Sequence, residues 1–201
     1  MSQRSDIKIL DLLYLICKNR RGEPMKIDVN DQIYISPITP EDKASYITHM
    51  QDREIYEKTI GIPFPYGDNE ANWWIAAVAE EAKRFGLPLQ YAIRKEDGEL
   101  IGGIGFMDMK SIFDHAAELG FWLAKEYRNR GIMTNCVKAF TNWAFNHPNL
   151  NLVRIQCRIF AHNEVAVRIV EKCQFAPEGY MRKRFKKDDQ YIDAKIFALV
   201  R

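Results

Sequence analysis

The sequence is poor in the residues that build metal centres and disulfide frameworks. Its 201 residues include four cysteines and four histidines, and no cysteines are spaced as a Cys-x-x-Cys pair. Structural zinc sites need clustered ligands at such spacings, and disulfide scaffolds need a much higher cysteine content. The sequence therefore predicts no metal site, and we interpret its cysteines as small core residues of a cytoplasmic protein.

A long apolar run and a strong excess of one charge are also absent. The apolar segment at residues 7–17 contains Asp11 and is followed by Lys18, so it falls well short of the roughly 20 apolar residues that span a bilayer. The chain carries 29 basic and 27 acidic side chains, a net charge of +2. This balance gives no basis for a membrane or a specific nucleic-acid partner, and an RNA-associated or ribosome-associated interaction protein is the least supported alternative.

The length and composition predict one folded domain with a short extension. Hydrophobic residues make up 47% of the chain and charged residues 28%, which is ordinary for a globular domain of this size. We assign residues 25–201 to the domain and residues 1–24 to a helical extension that packs on it or on a second subunit of a homodimer. Alternatively, Met25 is the natural start.

The central part of the chain alternates between strand and helix patterns. An opening strand is predicted at residues 33–38, and Thr39, Pro40 and Asp42 have the pattern of a helix N-cap. The breaks at residues 52–68 indicate a long loop. The dipeptides Asp97-Gly98 and Asp188-Asp189 mark two predicted hairpins.

The most informative segment is residues 118–135. An apolar strand at residues 119–124 leads through a basic turn, which contains Gly131, into a helix. A glycine in a cationic turn that opens a helix suits a pyrophosphate, because the first helical N–H groups have no internal partner and the helix dipole favours an anion. The apolar face of the helix has 3.6-residue spacing. Its residues are Met133, Val137, Phe140 and Ala144.

A second helix is predicted at residues 163–175, and it leads into a strand. Its predicted buried face consists of Ala166, Ile169, Val170 and Cys173. Together the two segments resemble the GNAT superfamily of acyl-coenzyme A-dependent N-acyltransferases, within it the ribosomal-protein N-acetyltransferase (RimJ/RimL-like) branch. That family has a [Gln/Arg]-x-x-Gly-x-[Gly/Ala] turn after its fourth strand, and later an Asn-x-x-Ser helix that ends in Gly-Phe.

The family motifs are present here with three departures. The turn is Arg128-Asn-Arg-Gly131-Ile-Met133, and the later helix begins at Asn163. Met133 stands where the family usually has Gly or Ala, Ala166 where it often has Ser, and Gln174 where it usually has Gly. At Gln174 we expect a left-handed backbone, at some cost in strain.

The resemblance covers roughly residues 32–201 and implies both a fold and a set of site residues. The fold is α+β in three layers, the GNAT-like acyl-CoA N-acyltransferase fold, with a mixed, mostly antiparallel sheet flanked by helices. Residues 25–201 would be the acetyltransferase domain, with acetyl-CoA as co-substrate and no metal. The residues expected at the cofactor are Phe121, Trp122, Leu123, Arg128, Asn129, Arg130, Gly131, Ile132, Met133, Thr134 and Asn163.

The chemistry of amine acetylation suggests roles within that set. The backbone N–H groups of residues 121–123 would hold the pantetheine arm and polarise the thioester carbonyl, provided that the strand splays from its neighbour. Glu118 is the candidate catalytic base, as a glutamate at this place often is in the family; the alternative is a solvated carboxylate at the end of a strand. Asn163 would contact the pantetheine amides, and a helix N-cap explains it equally well.

The implied activity is transfer of an acetyl group from acetyl-CoA to a primary amine, with a protein N-terminus of the ribosomal-protein type as the favoured acceptor. A small amine such as a polyamine or an aminoglycoside is the alternative acceptor. A coenzyme A-binding module without turnover is a further alternative, which Ala166 and Met133 suggest. We expect residues 52–68 to determine the choice of acceptor.

Overall fold

The computed structural model describes residues 25–107, 109 and 114–201. Within this part of the chain it contains eight β-strands, five α-helices and two single 3-10 turns. The strands are β1 (Ile27–Asn30), β2 (Ile33–Pro37), β3 (Gln90–Lys95), β4 (Leu100–Met107), β5 (Ala116–Leu123), β6 (Arg154–Phe160), β7 (Ala176–Lys187) and β8 (Gln190–Val200). The helices are α1 (Lys43–His49), α2 (Arg53–Lys58), α3 (Asp68–Phe85), α4 (Ile132–Asn146) and α5 (Glu164–Lys172).

The predicted helical extension at residues 1–24 lies outside the described residues, and so does Cys17. The other three cysteines are buried free thiols, as predicted. Burial raises the pKa of the Cys136 thiol to about 12. None of the helices in the described ranges combines the length and the apolar character that crossing a bilayer requires.

All eight strands form one sheet in the order β1-β2-β3-β4-β5-β6-β8-β7. Every neighbouring pair is antiparallel except β5 and β6, which run parallel. The sheet is therefore mixed and mostly antiparallel, as the resemblance implied. A parallel pair needs a crossover, and α4 forms it.

Helices cover both faces of the sheet, and each face has its own core. The larger core packs α4 and α5 on one face, with Val137, Phe140 and Val170 fully buried. The smaller core packs α1, α2 and α3 on the other face, with Tyr46 and Ile55 among its buried residues. These two cores confirm the three-layer architecture.

A buried ion pair fastens the start of α1 to the sheet. The guanidinium of Arg94 on β3 donates to both carboxylate oxygens of Asp42, at 2.6 and 2.7 Å, and its Nε donates to Ser36. Asp42 also accepts the backbone N–H of Thr39 at 2.8 Å, which confirms the predicted cap. Both charged side chains are about a tenth exposed or less, at 10% and 6%.

Several local predictions are confirmed, and others need correction. Gln174 has the expected left-handed backbone, with φ +66°. Both residues of the Asp188-Asp189 turn have positive φ, whereas at the other predicted hairpin only Gly98 does. That turn is closed by a bond from the Gly98 N–H to the Lys95 carbonyl.

Two elements were not predicted, and one helix face is shifted. Strand β1 was missed, and the predicted loop at residues 52–68 contains α2. On α5, Val167 is buried in place of the predicted Ala166 and Ile169, which are only partly buried. Trp73 is 69% exposed, so of the adjacent tryptophans only Trp74 packs on the core.

Replacing Arg94 by methionine should destabilise the domain strongly. The change keeps an unbranched apolar stem but leaves the buried Asp42 carboxylate without its partner, which typically costs about 3–5 kcal/mol. Urea unfolding of both proteins would measure the loss. Arg154→Met is the matched control, because its ion pair with Glu178 is more exposed and should be worth less than about 1 kcal/mol. Equal losses in the two variants would contradict the structural role of the buried pair.

Candidate functional site

The central strands of the sheet separate after a short parallel pairing. Strands β5 and β6 pair at only three positions, which end at Glu118 opposite Gln156. Beyond this point β5 continues to Leu123 along β4, and β6 continues to Phe160 along β8. Each strand keeps its outer neighbour, so a gap opens between them. The splay that the sequence analysis required is present.

The register of β5 decides which backbone groups face this gap. The N–H of Ala124 donates to the carbonyl of Ile101 on β4 at 2.8 Å. Because antiparallel partners exchange bonds at every second residue, the N–H of Trp122 also points to β4, opposite Gly103. The N–H groups of Phe121 and Leu123 point the other way, into the gap. Two of the three predicted backbone groups are thus available to a ligand there.

The side chains of β5 alternate between the two cores. Leu119 and Leu123 are buried in the larger core, with Phe121 against it. Trp122 packs on the smaller core, with its ring 5.7 Å from that of Tyr46. Glu118 has the same parity as Trp122 and therefore lies on the face that α1 to α3 cover.

Strand β5 leads through a 3-10 turn to the N-terminus of α4. Gly131 is the N-cap residue, with φ +75°, and the first intrahelical bond joins the Asn135 N–H to the Gly131 carbonyl at 3.1 Å. The N–H groups of Gly131, Ile132, Met133 and Thr134 precede that bond and have no partner within the helix. An added Cβ at Gly131 would meet no described atom within 4 Å. The geometry matches an anion-binding helix start.

The departure at Met133 does not crowd this turn. The Met133 side chain is 5% exposed and belongs to the larger core. The carbonyl of Thr134 accepts the Cys173 thiol at 3.4 Å, which ties the end of α5 to the first turn of α4. The first turn of α4 is therefore packed on the larger core through Met133 and joined to the end of α5 through Cys173.

The two arginines of the turn have different surroundings. Arg130 is exposed, and its guanidinium carbon lies 5.9 Å from the centre of the Tyr127 ring. Arg128 is partly buried and donates to the Leu123 carbonyl and to the carboxylates of Asp52 and Glu54. Its backbone N–H is also bonded, to the carbonyl of Lys125. The positive charge available to an anion at the turn comes chiefly from Arg130, while exposed Asn129, with φ +62°, shapes the turn.

Asn163 is the N-cap of α5. Its side-chain oxygen accepts the Ala166 N–H at 3.2 Å, so the N-cap interpretation is confirmed. Asn163 follows β6 by three residues, and its own N–H donates to the Phe160 carbonyl at 2.8 Å. The cap uses the oxygen, and the amide nitrogen is the part of the side chain that a ligand would contact.

Glu118 forms an ion pair with Arg158 on β6, at the point where the two strands separate. The two side chains are only 11% and 14% exposed, so the alternative of a solvated strand-end carboxylate is not what the structure shows. The Arg158 guanidinium lies 5.9 Å from the ring of Phe185. Arg158 was not predicted from the sequence, although the partly buried positions 154, 156 and 158 share one face of β6.

A cleft of about 630 Å³ lies between α2 and the β7–β8 hairpin. From α2, its lining includes Arg53, Tyr56 and Glu57. From the hairpin and the end of β6, the lining includes His162, Tyr180, Lys187, Asp188, Tyr191 and Asp193. Tyr180 and Tyr191 are 58% and 63% exposed. The cleft thus combines aromatic surface with carboxylates.

The hairpin and α2 are joined across this cleft. The Tyr56 hydroxyl donates to Asp188 at 2.6 Å, and the Lys187 ammonium donates to the carbonyls of Tyr56 and Thr59 at 2.5 and 2.6 Å. The hydrogen bond to Asp188 raises the pKa of Tyr56. Burial lowers the pKa of Lys187. The prediction that residues 52–68, with the loops that face them, determine the choice of acceptor remains a prediction.

A mixed sheet whose central strands part before a glycine turn at a helix start is the architecture of the GNAT acetyltransferases. The chain belongs to this family, because the family model described as "Acetyltransferase (GNAT) domain" matches residues 32–176. The solved structure of RimL, the ribosomal L7/L12 alpha-N-protein acetyltransferase, in complex with coenzyme A superimposes with a TM-score of 0.77. That match covers 88% of this chain and 98% of RimL at 16% identity, and it shows the fold.

Curated bacterial relatives agree on the family. "Probable N-acetyltransferase YjcK" of Bacillus subtilis (strain 168) is 30% identical over 104 residues, 52% of this chain and 56% of that protein. The ribosomal-protein-serine acetyltransferase of Escherichia coli (strain K12) is 27% identical over 57% of this chain and 62% of its own length. The chain thus spans less than two thirds of these relatives. Other matched relatives are named for L-amino acid or spermidine acetylation.

The left-handed backbone at Gly131 gives a stability prediction. Gly131→Ala should lower the free energy of unfolding by about 1 kcal/mol, because the alanine must adopt positive φ although it has room for its methyl group. The control is Gly61→Ala, which is equally open but lies outside the left-handed region and should cost little. Urea unfolding would compare the two variants. If both alanines had the same effect, the turn would not require a left-handed residue.

Proposed function

We propose that the protein transfers an acetyl group from acetyl-CoA to a primary amine, with a protein N-terminus of the ribosomal-protein type as acceptor. The observation that carries this proposal is the gap between β5 and β6, which opens towards the helix start at Gly131. Membership of the acetyltransferase family supports the class of reaction. The buried free thiols fit a reducing compartment such as the cytoplasm.

The residues at the gap and the turn fit acetyl-CoA. The four N–H groups at the start of α4, with Asn129 and Arg130 beside them, would hold the pyrophosphate. The outward N–H groups of Phe121 and Leu123 and the amide of Asn163 would bind the pantetheine arm. Bound acetyl-CoA supplies an acetyl group already activated as a thioester. The N–H groups of β5 are fixed by the sheet, and such preorganised donors can stabilise negative charge that develops on a carbonyl oxygen.

Glu118 is the proposed proton acceptor. Its carboxylate lies at the opening of the gap, on the sheet face that carries α2 and the cleft. The ion pair with Arg158 fixes the direction of the carboxylate, and a carboxylate oxygen can accept a hydrogen bond from the amine. The amine must be neutral before it attacks, so the carboxylate would take the proton directly or through one water.

The cleft between α2 and the hairpin is the proposed acceptor site. Its three carboxylates, Glu57, Asp188 and Asp193, outnumber Arg53 and Lys187 by one charge. These carboxylates can accept hydrogen bonds from a protonated amine, and the exposed tyrosines offer surface to the chain that follows it.

The same carboxylates favour a polyamine or an aminoglycoside as the second candidate acceptor, since several positive charges could be matched there. A screen of thiol release from acetyl-CoA with N-terminal peptides, polyamines and aminoglycosides separates these acceptors. Release with none of the amines, together with tight coenzyme A binding, would indicate instead the coenzyme A-binding module without turnover.

Gly131→Asp should weaken the binding of coenzyme A. The new carboxylate would stand beside the phosphates at the helix start, and the affinity should fall by at least about tenfold. Gly131→Asn is the control, because asparagine has nearly the shape and the left-handed tolerance of aspartate without its charge. Calorimetric titration of both folded variants measures the difference. An unchanged affinity of Gly131→Asp for coenzyme A would show that the turn is not part of the cofactor site.

Glu118→Gln tests the proton acceptor and the acceptor class together. The change keeps the shape but removes the basic oxygen, so the rate near neutral pH should fall about 10²-fold. The loss should shrink as the pH passes the pKa of the amine, at about 8 for an N-terminus and about 10.4 for a lysine-type amine. A pH–rate profile measures this recovery. If the rates of the variant and the wild type were equal at every pH, Glu118 would not be the proton acceptor, and catalysis would depend on positioning alone.

A further inference from the structure

Arg128 connects its own turn to the end of β5 and to the start of α2. Its Nε donates to the carbonyl of Leu123 at the end of β5, at 3.0 Å. Its two terminal nitrogens donate to Glu54 and Asp52, each at 2.6 Å. The side chain is 22% exposed, so these contacts are only partly shielded from water. One guanidinium thus fastens α2 and its N-cap residue to the strand that borders the gap.

The helix held in this way forms one wall of the cleft. Asp52 caps α2 through the N–H of Glu54, and both residues are turned to Arg128. Arg53, Tyr56 and Glu57, at i, i+3 and i+4 spacing, line the cleft from a neighbouring face of the helix. With six residues, α2 is too short to be stable by itself, so its position depends on tertiary contacts.

The charges around Arg128 argue against a role in binding phosphate. Asp52, Glu54, Lys58 and Arg128 form a cluster with no net charge. The hydrogen bond from Lys58, aided by the charge of Arg128, holds the pKa of Glu54 below its usual range. A bound phosphate would have to compete with two carboxylates for the guanidinium. The described contacts of Arg130 include no carboxylate. Its guanidinium lies near the Tyr127 ring.

From these contacts we infer that Arg128 is a positioning residue for the acceptor, and that it holds α2 in place to form the cleft wall while Arg130 serves the phosphates. This inference rests on the proposed function. It assigns the first residue of the turn to the acceptor side of the reaction, although its neighbours in sequence lie on the cofactor side.

The test compares the two arginines of the same turn. Arg128→Gln should raise the KM for the amine about tenfold and change the affinity for coenzyme A less than about twofold. Arg130→Gln should do the reverse, with weaker coenzyme A binding and an unchanged KM for the amine at saturating acetyl-CoA. Arg154→Gln, which removes an ion pair elsewhere on the sheet, is the control for general effects. Steady-state kinetics and calorimetry provide the two readouts.

A second variant approaches the same contact from the other side. Asp52→Asn combined with Glu54→Gln leaves Arg128 in place and should raise the KM for the amine as Arg128→Gln does. If one of the two variants folds poorly, the other still tests the contact. If Arg128→Gln weakened coenzyme A binding as much as Arg130→Gln, with the KM for the amine unchanged, the inference would be wrong.

Hydrogen exchange distinguishes failure of the inference from failure of the proposed function. Arg128→Gln should speed exchange of the α2 amides, and Arg154→Gln should not. If the wild type transferred acetyl to no amine, the proposed function would fail, and faster exchange would still support the contact itself. Unchanged exchange in α2 would overturn the positioning role whatever the activity.

Discussion

The parallel contact between β5 and β6 is the constraint on which the rest of the site depends. It lasts for three residue pairs, and both strands then continue along their outer neighbours. A backbone N–H in a closed sheet is bonded to the next strand, but here the groups of Phe121 and Leu123 meet the gap. Because β5 also delivers the chain to the turn at Gly131, one irregularity in the sheet aligns the gap with a helix start. The same irregularity brings Glu118 to the point of separation.

Three arginine–carboxylate contacts hold this arrangement, and they differ in burial. The pair of Arg94 with Asp42 is the most buried and joins α1 to the sheet. The pair of Arg158 with Glu118 is nearly as buried and lies between the separating strands. The Arg128 cluster is more exposed, so water and salt weaken it more. The most exposed contact is the one at α2, which forms one wall of the proposed acceptor site.

Local patterns predicted much of the fold. The 3.6-residue spacing of Met133, Val137, Phe140 and Ala144 predicted the buried face of α4, because apolar residues at this spacing lie on one side of a helix. The left-handed residue at Gln174 was likewise predictable from the end of α5. Short elements were not: β1 has four residues, and α2 has six in a segment that precedes several glycines and prolines. Such elements gain their stability from neighbours that sequence periodicity does not reveal.

The sequence by itself determined the order of the longer elements, the glycine turn at a helix start and the family. The longer elements and the turn depend on residues a few positions apart, within reach of backbone and helix geometry. The tertiary structure alone decided the partners of the charged groups and the walls of the cleft. Glu118 and Arg158 are 40 positions apart, Arg128 and Glu54 are 74 apart, and Tyr56 and Asp188 are 132 apart. Contacts over such separations arise only when the sheet fixes where distant segments meet, and no local spacing encodes them.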